Sequence, residues 1–424
     1  MAMRYRPATA GVGIAVSILI VVAVVALFGT RSPAPATSPS PSVTASPSPT
    51  AVAVSPSPSP QPSPTATPNA PGDATVSVTK VTIPAEFRYV VLGSGEDFRV
   101  VMLDLNAARA TDVARLHVVG VRTAPAQTGA ALSASTDGRV VLVSLNVPEA
   151  QSSLYVVRPE TGGSKLLLKG APRQALVSPD GTRLALARAD TDPAMTGLWI
   201  GSTDDGTMKR LIADDPQFVG SPPVPFAFSP AGTLLVFGLG LGETGYQATL
   251  VPVTSAEARV DRAAAGTKII GGEVTPIGPA SGAEFVSEQE AFVWSSRSAF
   301  GGQTIGYTFD LTSKRTTDVY RPSSPDSLLA SASWRPRADQ FATVERPMAG
   351  GANVRQAVWL RDRGGSARKL GDYGFLIEMW WSRDGSKLFG QMGGDDSTSG
   401  ITDLLTGKQV MAFCLRGGTP GSCT

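Results

Sequence analysis

From residue 73 onward the apolar positions fall in short runs. Leu184-Ala185-Leu186-Ala187, Leu198-Trp199-Ile200 and Ala357-Val358-Trp359-Leu360 are examples, each bounded by Gly, Pro, Asp or Ser. Runs this short, closed by turn-forming residues, predict β-strands rather than helices. No 3.6-residue period lasts beyond a turn or two, apart from a short helix expected at residues 255–265.

The runs are organised around a repeated turn. Ser178-Pro179-Asp180-Gly181 lies between two apolar runs, and Ser135-Thr136-Asp137-Gly138, Ser229-Pro230-Ala231-Gly232 and Ser382-Arg383-Asp384-Gly385 repeat it. Weaker copies begin at Ser287 and Arg335. Pro presets φ, Asp bonds its own backbone, and Gly accepts φ > 0, so each copy predicts a hairpin. Two more strand-like runs follow each hairpin. The copies begin at 135, 178, 229, 287, 335 and 382, a period near 50. Four strands per unit of about 50 residues describe one blade of a β-propeller. A first unit carries Pro84-Ala85-Glu86 in place of the Asp-Gly turn, which brings the count to seven. The expected fold is therefore all-β, a seven-bladed propeller over residues 73–424, with six or eight blades as alternatives. The residue before each turn (Ala134, Val177, Phe228, Val286, Trp334, Trp381) is expected to wedge between blades. Trp380 should point the opposite way, which makes it the candidate for stacking on a ligand.

The first 72 residues have a different character. Residues 1–6 form a basic head with Arg4 and Arg6, and residues 7–30 carry no charge. An apolar run of this length predicts a transmembrane signal anchor with its N-terminus in the cytoplasm, cleavage as a secretory signal being the alternative. Residues 31–72 are rich in Pro, Ser and Thr, with 13 prolines. Such a segment cannot bury apolar area and reads as a disordered spacer holding the propeller outside the membrane.

Charge narrows the partners. The first 72 residues hold three arginines and no acid, leaving 34 basic against 35 acidic side chains in the remainder. No basic footprint for nucleic acid results. The one histidine, His117, sits in a strand-like run, and with two cysteines it cannot complete a zinc set. Gly240-Leu241-Gly242-Glu243-Thr244-Gly245 spells a dinucleotide fingerprint, but a strand-like run follows it where that site needs a helix, so it reads as a hairpin loop. The pairs Asp204-Asp205, Asp214-Asp215 and Asp395-Asp396 read as solvated turns; none spells a calcium loop, and no cofactor is expected. Cys414 and Cys423 bracket a Gly- and Pro-containing segment and are expected to form a disulfide in an oxidising compartment.

The Ser-Pro-Asp-Gly turn after an apolar residue, seen at 177–181, 228–232 and 381–385, resembles the repeat of TolB-type propellers. The resemblance runs through about seven residues per blade over residues 75–413. It implies an extracytoplasmic propeller that binds other proteins and catalyses nothing. TolB itself carries an α/β domain before its propeller, whereas here an apolar segment and a spacer stand there.

The function expected from the sequence is a membrane-tethered, non-catalytic binding or scaffold module for a protein or cell-wall glycan. A propeller hydrolase using paired channel carboxylates is the alternative, and a structural or sensory ectodomain is a third reading.

Overall fold

The computed structural model describes residues 74–414, apart from 95, 119–128, 147–151, 171, 191, 215–221, 242–244, 263–266, 297–303, 323, 325, 349–353 and 394–397. The apolar segment 7–30, the spacer 31–72 and Cys423 lie outside the described residues, as does the side chain of Cys414.

Seven sheets are formed by the described residues, antiparallel throughout except for one parallel pair in the largest. Six have four strands, and one is extended to six. Numbered along the chain, blade 1 spans 74–118, blade 2 129–169, blade 3 172–213, blade 4 224–280, blade 5 282–320, blade 6 327–373 and blade 7 375–414. The fold is a seven-bladed β-propeller.

What holds the blades together is one apolar cluster per seam, seven in all. Strand side chains alternate between the two faces of each sheet, so each blade contributes to two seams. Val141 and Val143 pack toward blade 1, while Leu142 and Val140 pack toward blade 3. The residue before the turn fills the preceding seam at Val177, Phe228, Trp334 and Trp381, each at most 8% exposed. Ala134 is the exception, being exposed. Val286 also departs from the pattern. Its strand carries a bulge there, and it packs with the cluster shared with blade 6.

The sequence repeat is honoured least in blade 1. Its strand order is 74–78 outermost, then 109–118, 97–104 and 87–94. The strand Phe87–Ser94 begins at the turn rim, because Tyr89 Oη donates to Gly138 O at 2.9 Å and Leu105 N donates to Glu86 O. In blades 2 to 7 the innermost strand ends at that rim. Blade 1 therefore lacks the first strand of the repeat and takes its outer strand, Ala74–Val78, from upstream. Blades 1 and 7 are each built from their own chain segment, so their seam closes without strand exchange. Val90, Leu92, Val101 and Leu103 pack there on Phe389, Ile401 and Met411.

The expected helix at 255–265 is not formed. Residues Ala258–Asp261 and Lys268–Ile270 are strands that pair with each other. The first runs parallel to Met208–Ala213 and extends blade 3 outward. Ala258 and Val260 fill the seam between blades 3 and 4, and Arg262 grips Asp214 through two N–H···O bonds of 2.9 Å. Burial of these side chains decides the structure over local propensity. Asp214, read from sequence as a solvated turn residue, is instead fully enclosed (0% side-chain exposure).

Candidate functional site

The predicted turn residues share one rim. In blade 3, Ser178 Oγ donates to Asp180 Oδ1 at 2.5 Å and accepts from Arg183 N at 2.9 Å. Ser135 with Asp137 and Ser382 with Asp384 repeat the pattern. Gly138, Gly181, Gly232 and Gly385 have φ of 75°, 76°, 68° and 73°, a conformation that favours glycine. In the blade 6 copy the positive φ falls one position earlier, on Arg337. The blade 5 copy is shorter, with only Glu288 and Gln289 between its strands. Hydrogen bonds link neighbouring turns: Thr136 N to Pro179 O, Arg183 Nη1 to Gly232 O, and Arg335 Nε to Gly385 O. The Ser386 N–H, joined by the Ser382 and Ser386 hydroxyls, draws the Asp384 carboxyl down to about 2. These carboxylates are acceptors within their own turns, so their chemistry is structural.

Trp380 does point away from Trp381, but into a seam. It packs on Phe389 (5.8 Å between ring centroids), and the Arg88 guanidinium lies 4.7 Å over its ring. Arg88 also pairs with Glu378, joining blades 1 and 7. The stacking face is thus covered by a cation held in place by a carboxylate. Neither Arg88 nor Glu378 belongs to a recognisable motif, so pattern reading passes over both.

Glu284 is a second group that the repeat does not signal. It lies on the innermost strand of blade 5 and reaches blade 6, where Trp334 N donates to its Oε1 and Ser333 Oγ lies 3.4 Å from its Oε2. Burial pushes its carboxyl up to about 8, against the lowering effect of those two donors. The folded state therefore holds this proton between about pH 4.5, the unfolded value, and about pH 8. Its effect on stability is adverse and grows as pH rises through that window, then levels off. At about 1.4 kcal/mol per unit, the span amounts to a few kcal/mol. Glu284→Gln should therefore gain stability over wild type steadily from pH 5 to pH 8.5, measured by urea midpoints. Parallel pH curves for the two proteins would contradict this.

The rim opposite the turns carries exposed apolar groups. Phe375 is 57% exposed and Ile377 47%, both on the innermost strand of blade 7. Strand alternation sets Ile377 on the same side as Phe375, both lie against the hydrogen face of Gly393, and the register shifts between Leu376 and Glu378. A Cβ at Gly393 would stand 2.8 Å from the Phe375 ring. His117 is an exposed strand residue beside Asp97, at 3.0 Å. Among the described residues no cluster of three metal-ligating side chains occurs.

No family model matches the chain, and no curated protein matches its sequence. Its fold is shared with many solved structures. A prolyl endopeptidase aligns with TM-score 0.52 at 12% identity over 79% of this chain, which spans about half (49%) of that protein. An oligogalacturonate lyase from Vibrio parahaemolyticus aligns with TM-score 0.49 at 9% identity, over 82% of this chain and 88% of the lyase. TolB from Acinetobacter baumannii aligns with TM-score 0.41 at 13% identity, over 80% of this chain and 79% of that one. At these identities the likeness extends to the fold alone.

Proposed function

We propose that the chain is a non-catalytic binding module of TolB type, tethered outside the membrane by residues 7–30, which holds a segment of a partner protein on the rim opposite the turns. The observation that carries this reading is the exposed pair Phe375 and Ile377 at the inner edge of blade 7. Side chains of this kind gain about 1.5–3 kcal/mol each on full burial, enough to anchor a modest interface. Arg88 and Glu378, 32% and 46% exposed, stand nearby as a polar border. The partner surface that fits is an apolar side chain or two flanked by polar groups. A cell-wall glycan fits less well, because Arg88 and Phe389 cover the indole that would stack on a sugar.

A photo-crosslinking amino acid placed at Ile377 in the full chain, in intact cells, tests this. The expected result is a discrete protein adduct that Phe375→Ser abolishes while the melting temperature stays unchanged. A carbohydrate adduct, an adduct indifferent to Phe375→Ser, or no adduct would each overturn the reading.

A second reading is favoured by Glu284, whose carboxyl stays protonated near neutral pH as a general acid must. Under it the protein is a hydrolase that Glu284→Ala inactivates. Under the binding reading that variant still captures the partner.

A further inference from the structure

The seam between blades 7 and 1 is apolar over only part of its depth. Val90, Val101 and Leu103 meet Phe389, Ile401 and Met411 there. Toward the rim opposite the turns the two walls differ in kind. On blade 7, Phe389 faces blade 1, and by alternation so does the hydrogen face of Gly393, on which Phe375 and Ile377 lie. On blade 1, Phe98, Val100 and Met102 pack toward blade 2, which turns Arg99 toward blade 7 with Val101 and Leu103. In the ladder Arg99 is paired with Arg115 and Val101 with Asp112, so the three charged side chains stand on that same wall.

Asp112 ties the two cations together. Arg99 donates to its Oδ1 at 3.2 and 2.5 Å, and Arg115 to its Oδ2 at 3.0 Å. Against the raising effect of burial, these bonds hold the Asp112 carboxyl below its ordinary value, so two guanidiniums face one ionised carboxylate. Arg115 is the accessible member, with its side chain 70% exposed and only Nη2 engaged on Asp112, and a guanidinium has further donors to offer. Asp97, which bonds His117 at 3.0 Å, and Glu96 lie farther out at the tip of the hairpin. No ion pair joins either acid to Arg115 among the described residues. The fold cannot close this ionic wall over Phe375 and Ile377, because desolvating the charges costs more than the apolar contact gives. A ligand that covers both walls is apolar on one side and anionic on the other.

We infer that the partner segment held at Phe375 and Ile377 carries a carboxylate one or two residues from its apolar anchor, and that this carboxylate meets Arg115. The charge of the segment is thereby named, on the footing of the partner-protein reading above.

Fluorescent peptides of about ten residues, blocked at both ends, test this with the full chain in a zwitterionic lipid nanodisc. One has the core Phe-Leu-Glu, and the others replace the glutamate by Gln or Lys. Anisotropy should give the glutamate peptide a Kd of about 0.1–1 mM. The glutamine peptide should bind about fivefold more weakly, the upper value of one exposed charge contact, and the lysine peptide more weakly still. In Arg115→Glu the order should reverse, with the lysine peptide binding best. Phe375→Ser should weaken all three. Equal binding of the three peptides, an order unchanged in Arg115→Glu, binding indifferent to Phe375→Ser, or no binding at all would each overturn the inference. Should Arg115→Glu fail to fold, Arg115→Gln decides the matter, since the glutamate and glutamine peptides should then bind alike. A protein adduct at Ile377 without this charge preference would leave the partner reading standing, so the two proposals fail separately.

Discussion

Arg262→Ala is expected to cost about 3–5 kcal/mol of stability, because it strips the guanidinium from a carboxylate that has no access to water. The Asp214 side chain is 0% exposed and that of Arg262 6%, with two parallel bonds of 2.9 Å between them and a third from Arg262 Nη1 to Gly240 O at 2.8 Å. The pair fastens the added hairpin to both blade 3 and blade 4, so the hairpin should also lose its protection from hydrogen exchange. Replacing both partners by apolar residues, Asp214→Leu with Arg262→Met, should recover most of the loss, since the desolvation penalty goes with the charges. Urea unfolding of the two single variants and the double variant closes the cycle. Single losses below about 1 kcal/mol would mean that water reaches the pair.

Phe292→Ala should be comparably severe, at about 3–5 kcal/mol. Phe292 is completely buried between blades 5 and 6, with ring centroids of Trp334 and Phe341 each 5.3 Å away and Trp294 at 5.7 Å. Trp334 and Phe341 stack on one another beside it, 14° from parallel. Removing the central ring leaves a cavity that these rigid neighbours cannot fill, because each is fixed by its own strand. Tryptophan fluorescence should shift to the red in the variant, and Phe292→Leu should lose much less than the alanine. Equal losses for leucine and alanine would show that the rings, rather than the filled volume, carry the stability.

The two variants test different ways of joining blades, and those differ in how far a sequence exposes them. Blade 5 to blade 6 is joined by apolar side chains at repeat positions, so Trp334 could be assigned to a seam from its place before the turn. Blade 3 to blade 4 is joined partly by an insertion outside the repeat. Its strands are only four and three residues long, too short for the alternation of Ala258-Arg259-Val260-Asp261 to stand out, and a run of alanines beside them reads locally as helix. A parallel partner from another blade makes it a strand. The same limit applied to Asp214, since a carboxylate's burial depends on a guanidinium 48 residues away.

The sequence by itself determined the all-β class, the seven units and the geometry of the Ser-x-Asp-Gly turns. Each of these rests on interactions within a few residues, so its signal is local and repeats. The tertiary structure alone decided that blade 1 runs inverted with its outer strand from upstream, and that Trp380 is covered by Arg88 from the far end of the chain. It also decided that Glu284 is held between Ser333 and Trp334, and that Phe375 and Ile377 stand exposed at the start of the innermost strand of blade 7. Each of these depends on which strands become neighbours when the ring closes. That choice is made by the summed packing of seven seams, and no single stretch of the chain records it.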